Sequence, residues 1–173
     1  MRVFRTIWLL HRWLGITAGL VLMLVSVTGL LLLVKKDYAW IQPPAMTCAP
    51  GELEDLQPLP RVFEAVFDLG LPEFRSVDDI ARVDFRPEKR LHKVLSKHGN
   101  LEVQVCAITL ATSAPRERRS DWIESLHDGS FFGDFAHGWV MPLVALLLLF
   151  LAGSGYVMWA VPKWRKWRKR RGR

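Results

Sequence analysis

Two long uncharged runs frame the chain, Trp13 to Val34 and Gly138 to Pro162. As a helix the first reaches roughly 33 Å at about 1.5 Å per residue, against a hydrocarbon core of about 30 Å, so each run predicts a bilayer-crossing helix. His11-Arg12 stands before the first run and Lys35-Lys36 after it, groups that resist entering hydrocarbon. Ahead of it, Val3, Phe4, Ile7 and Trp8 recur at helical spacing, which predicts an interfacial first turn continuous with the span.

Between the runs the pattern changes period. Lys35 to Pro60 reads as a tether, because Pro43, Pro44, Pro50, Pro58 and Pro60 deny a regular helix or a central strand. Val62, Phe63, Val66 and Phe67 then share one face of a short helix that stops at Gly70. Ala81, Val83 and Phe85 alternate with Arg82, Asp84 and Arg86, and Pro87 closes that strand. Arg90 to Lys97 predicts a second strand, His98 to Asn100 a turn, and Leu101, Val103, Val105 and Ala107 the inward row of a third. Glu102, Gln104 and Cys106 face the other way. Thr112 to Arg119 is polar and basic, and Asp121 to Glu124 resembles a helix start with a capping acid. The expected fold is an α+β membrane protein, two transmembrane helices flanking a small module of one helix and antiparallel strands. Its segments are 1–36 (N-terminus and first span), 37–60 (tether), 61–120 (module), 121–137 (pre-membrane), 138–162 (second span) and 163–173 (basic tail).

Charge orients this plan. The chain has 173 residues and a net charge of +7, but all 17 acids lie between Lys35 and His137, beside 13 cations, which leaves that segment mildly acidic. Both tails are purely basic. Basic flanks stay on the cytoplasmic side, so both termini are expected inside and the module outside, in a multi-pass inner-membrane arrangement. A cleaved signal peptide is the rival for the N-terminus; the apolar run is too long for one, and no small-x-small site follows it. The tail cations Lys163, Arg165, Lys166, Arg168 and Lys169 either determine topology or also bind anionic head groups. So short a basic tail gives no specific signal for nucleic acid, and none is expected as a partner.

Small residues Gly15, Gly19 and Gly29 line the first span and predict close helix packing. Cys48 and Cys106, in the outer segment, allow a disulfide or two separate thiols. No nucleotide-binding glycine loop, zinc-protease helix motif or nucleophile elbow occurs, so no catalytic motif is complete in this chain. Histidine remains. His11, His127 and His137 sit at span ends, where they are either wetted by head groups or ligate a haem iron. A separation on the order of 30 Å between His11 and the other two forbids one shared iron within a chain. His127 and His137 converge only if Gly129 and Gly133 turn the chain. His92 and His98 are read as solvated surface.

With these residues in place, the chain resembles the PepSY-associated transmembrane helix family. The carrying residues are His11 to Gly15, Gly19, Thr28-Gly29, the module ending in Leu101 to Thr112, Trp122, Leu126 to Gly129, and Ser154 to Trp159. The resemblance implies an inner-membrane protein of Gram-negative type bacteria with a periplasmic PepSY-like module. Larger relatives with more spans include reductases that release iron from siderophores and hold b-type haem through membrane histidines. On that analogy His11 and His127 are the haem ligands to carry over, and a homodimer would restore four helices and pair His11 with its symmetry mate. The alternative is a non-enzymatic anchored module that binds a peptidase, a peptide or an assembly partner.

Overall fold

A computed structural model describes residues 2–171, without the side chain of Arg2. Gly172 and Arg173, the end of the predicted tail, and the Arg2 cation of the N-terminal flank lie outside the described residues. The chain forms two compact units, one of Met1–Leu30 with Glu124–Arg173 and one of Leu31–Ile123.

In the first unit the helices α1 (Arg2–Leu33) and α4 (Met141–Arg171) lie antiparallel: Arg165 approaches the Phe4 ring at 5.8 Å, and a Cβ on Gly15 would meet Leu151 at 3.8 Å. Both are long and apolar enough to cross a membrane. Most of their large side chains face outward, as lipid requires. The predicted end of the second span at Pro162 is not where its helix ends, because α4 runs through Pro162 into the tail. Three cations stack on aromatic rings one turn earlier: Lys163 on Trp159 at 3.9 Å, Arg168 on Trp164 at 5.6 Å and Arg171 on Trp167 at 4.0 Å. Such i,i+4 pairs, with cations at a helix C-terminus, support the extension.

The second unit is a four-stranded antiparallel meander, β1 (Ile80–Arg86), β2 (Leu91–Ser96), β3 (Leu101–Cys106) and β4 (Arg116–Glu117), in sheet order β1-β2-β3-β4. The helix α2 (Leu59–Phe67) packs on one face. Pro60 lies in its first turn, where a missing N–H costs nothing, so this proline opens a helix instead of closing the tether. Val62 and Val66 join Phe74, Ile80, Val94, Val103 and Val105 in the core.

The other face of the sheet is buried as well. Pairing sets Asp84, Lys93 and Gln104 in one row across the sheet and Arg82, Leu95 and Glu102 in the next. Lys93, Glu102, Gln104 and Cys106 are buried there. The tether covers them. Gln104 Nε2 donates to Pro44 O at 2.9 Å, Gln104 Oε1 accepts from Met46 N at 2.7 Å, and Cys48 is joined to Cys106 by a disulfide with Cα atoms 5.1 Å apart. The polar, basic stretch between Thr112 and Arg119 contains the edge strand β4 and the buried Arg118. The helix α3 (Arg119–Asp128) begins two residues before the expected Asp121, with Ser120 N donating to Ile41 O at 2.8 Å.

His92 is a correction of another kind. Its ring stacks on Phe85 at 4.6 Å, its Nδ1 is buried without a hydrogen-bond partner, and burial pushes its pKa below 6.5. The unfolded chain therefore binds more protons than the folded one once pH falls below about 6.5. Stability of the extramembrane unit should fall between pH 7 and 5, level off below the folded pKa and be unaffected above pH 7. His92→Phe, which keeps the stack, should flatten that dependence in urea unfolding at pH 7.5 and 5. An unchanged pH profile would assign the effect elsewhere. His98, by contrast, is exposed as expected and lies 3.2 Å from Asp79.

Candidate functional site

His127 sits near the end of α3, and its ring lies against α1, where Nδ1 is 3.0 Å from Val25 O and 3.1 Å from Thr28 Oγ1. Thr28 is about five residues, or roughly 7 Å, inside the end of α1, so this ring is held more than a turn in from the helix terminus. A carbonyl oxygen only accepts, and the Thr28 hydroxyl already donates to Leu24 O at 2.8 Å. Nδ1 must therefore carry the proton, and the lone pair of the neutral ring is on Nε2. Gly29 makes the seat: a Cβ there would come within 3.1 Å of His127 Cε1.

The other end of the unit repeats the arrangement. His11 Nδ1 lies 2.7 Å from Ser154 Oγ, whose proton is committed to Leu151 O at 3.0 Å. With that hydroxyl donating to Leu151 O, the His11 proton is on Nδ1 and the lone pair of the neutral ring is on Nε2, as in His127. Gly155 lies beside it, its Cβ position 3.7 Å from His11 Cε1. Along α1, residues 11 and 28 are about 25 Å apart, so the two rings cannot share a metal.

Between His127 and His137 the chain does turn. Gly129 and Gly133 both take positive φ, +80° and +96°, which L side chains resist, and a Cβ on Gly129 would lie 2.6 Å from Met141 Cγ. A π-helical turn, Ala136–Val140, follows and carries His137. That ring is exposed, and its Nδ1 donates to Asp128 O at 3.0 Å. Asp128 is held below the usual carboxylate range: slight burial works against its charge, but the Ser130 backbone and side chain, with His137 and His127 nearby, outweigh it. Of the three span-end histidines, His11 and His127 are seated between helices and His137 caps a loop.

The packing glycines divide in the same way. Gly29 seats a histidine and Gly15 makes ordinary contact, whereas nothing lies within 4 Å of a Cβ on Gly19, so Gly19 sets no close approach within this chain. Ala18, Thr28 and Ser154 are the buried small residues. Thr28 and Ser154 are the partners that sequence reasoning missed, although Thr28-Gly29 and Ser154-Gly155 were both visible as small polar pairs inside apolar runs.

Such a donor set fits a haem. Metal-bound histidines commonly donate their second N–H to a carbonyl or hydroxyl, which fixes the tautomer and raises the basicity of the ligating nitrogen. Among the described residues no cluster of three or more His, Cys, Asp or Glu forms a separate metal site.

In the second unit, Glu102 Oε1 accepts from Lys93 Nζ at 3.0 Å and Glu102 Oε2 from Arg118 Nη1 at 2.9 Å. Asp84 and Asp121 flank Arg118 at 3.5 and 2.8 Å. Burial opposes the Arg118 charge, yet these acids raise its pKa further. Arg82 completes the cluster at 3.4 Å from Asp84 and 3.0 Å from Asp121, so three cations meet three acids, which makes it a fixing device for the tether and α3.

Comparison with curated proteins and with solved structures returned no match. The family described as the PepSY-associated TM region matches residues 8–173, from the turn before His11 through both membrane helices, and the chain belongs to that family.

Proposed function

We propose that this membrane protein binds haem b and passes electrons across the bacterial inner membrane in iron uptake, toward ferric siderophores on the periplasmic side where the PepSY-type module faces. The observation that carries the reading is the shared seating of His11 and His127, each with Nδ1 hydrogen-bonded to the helix frame and Nε2 left out of those bonds. Bound haem would supply one-electron redox chemistry. Ser154 and the pair Val25 and Thr28 hold the rings in orientation, and Gly29 keeps room for one of them. A second copy of the chain, related by a two-fold axis, supplies the opposing ligands and brings the helix count to four.

An optical spectrum of the protein in mild detergent after haem supplementation tests this. A Soret band is expected. His11→Ala and His127→Ala should each lower it and together abolish it, while Ser154→Ala and Thr28→Val weaken haem affinity about tenfold to a hundredfold. A missing band, or one indifferent to both histidines, would overturn the proposal in favour of an anchored interaction module. Capture of a periplasmic peptidase, peptide or assembly partner would then depend on residues 61–112 and survive loss of the histidines.

A further inference from the structure

A cavity of about 320 Å³ in the extramembrane unit lies between the Pro43-Pro44 stretch of the tether and the turn joining β1 to β2. Its lining includes Lys36, Arg86, Lys89 and Lys93, with Glu88 as the acid. Lys93 is committed to Glu102. The other three are exposed cations with no acidic partner within 4 Å among the described residues. The lining also includes Gln42, whose Oε1 is buried and has no hydrogen-bond donor.

We propose that this cavity seats the phosphodiester head group of an anionic lipid such as phosphatidylglycerol, on the module side of the membrane; it is independent of the haem reading. Three convergent cations suit a phosphate, and the head group's hydroxyls are donors of the kind that Gln42 lacks. Position selects lipid over a free anion. Lys36 follows Leu33, the last residue of α1, by three residues, so it lies within about 11 Å of the helix end. The last turn of α1 from Leu31 belongs to the same compact unit as the cavity. Tyr38 and Trp40, each 52 % exposed, come directly after, and such rings settle at head-group depth.

Native mass spectrometry of the detergent-solubilised full chain tests the site by counting retained lipids, since the basic tail is common to every variant. With short-chain phosphatidylglycerol, the triple variant Lys36→Gln, Arg86→Gln, Lys89→Gln should lose one bound lipid, its affinity falling about fivefold per cation. Glu88→Gln should raise occupancy of that same lipid a few-fold, an outcome that damage to the fold would not produce. Three results would overturn the proposal: unchanged lipid count in the triple variant, equal retention of phosphatidylcholine, or lower occupancy in Glu88→Gln. Displacement by inorganic phosphate at equal concentration would reassign the cavity to a free anion and reject the lipid.

Discussion

Replacing Glu102 by glutamine should destabilise the extramembrane unit by about 3 to 5 kcal/mol, the range measured when one partner of a buried ion pair is removed. The Glu102 side chain is fully buried, and its two oxygens receive Lys93, Arg118 and, at 2.8 Å, Gln104 Nε2. Loss of that charge leaves Lys93 buried with no acid in contact, whereas Arg118 keeps Asp84 and Asp121. The penalty should therefore centre on Lys93. The double variant Lys93→Met, Glu102→Leu should recover most of it, because well-packed apolar replacements of a buried pair are often neutral. Urea unfolding followed by tryptophan fluorescence gives the cycle. A single-variant cost under about 1 kcal/mol would show that the cluster contributes little.

Breaking the disulfide should have an effect of similar size. Cys48 and Cys106 are 58 positions apart, and closing a loop of that length constrains the unfolded chain by roughly 4 kcal/mol in the chain-entropy treatment. Cys48→Ala with Cys106→Ala should lower the unfolding midpoint accordingly, and reductant should lower the parent protein to match. The tether should loosen before the sheet does. Hydrogen exchange at Met46, whose N–H is held by the Gln104 side chain, should accelerate while Val94 and Val103 stay protected. Equal acceleration at all three would mean that tether and sheet open together.

The spans were readable in the sequence because lipid accepts no interruption of an apolar run, and α2 and the strands because their apolar residues keep a strict period. The second buried face was not. Glu102 and Gln104 alternate with Leu101, Val103 and Val105 as residues on a solvated face would, and nothing in a period of two tells water from a polar second layer. The covering segment hid itself too, since it is rich in proline and joins the sheet through hydrogen bonds and a disulfide more than through an apolar stripe. Arg118 sits among Arg116 and Arg119, and only the fold distinguishes the buried one. At the membrane site the histidines were visible but their hydroxyl and carbonyl partners were not, because the partners come from 99, 102 and 143 positions away.

The cover over the polar face also sets an order of assembly. Residues 41–48, which lie over it, are synthesised early, whereas Arg118 and Ser120, which complete the cluster and hold Ile41, come last. A nascent chain holds Cys48 with no intramolecular partner until β3 has followed, 58 residues later. Lys93 is likewise made before its buried partner Glu102, and Glu102 before its second cation Arg118. Fastening of the cover therefore waits for the whole segment between the two membrane helices to be made, through Arg118 and Ser120.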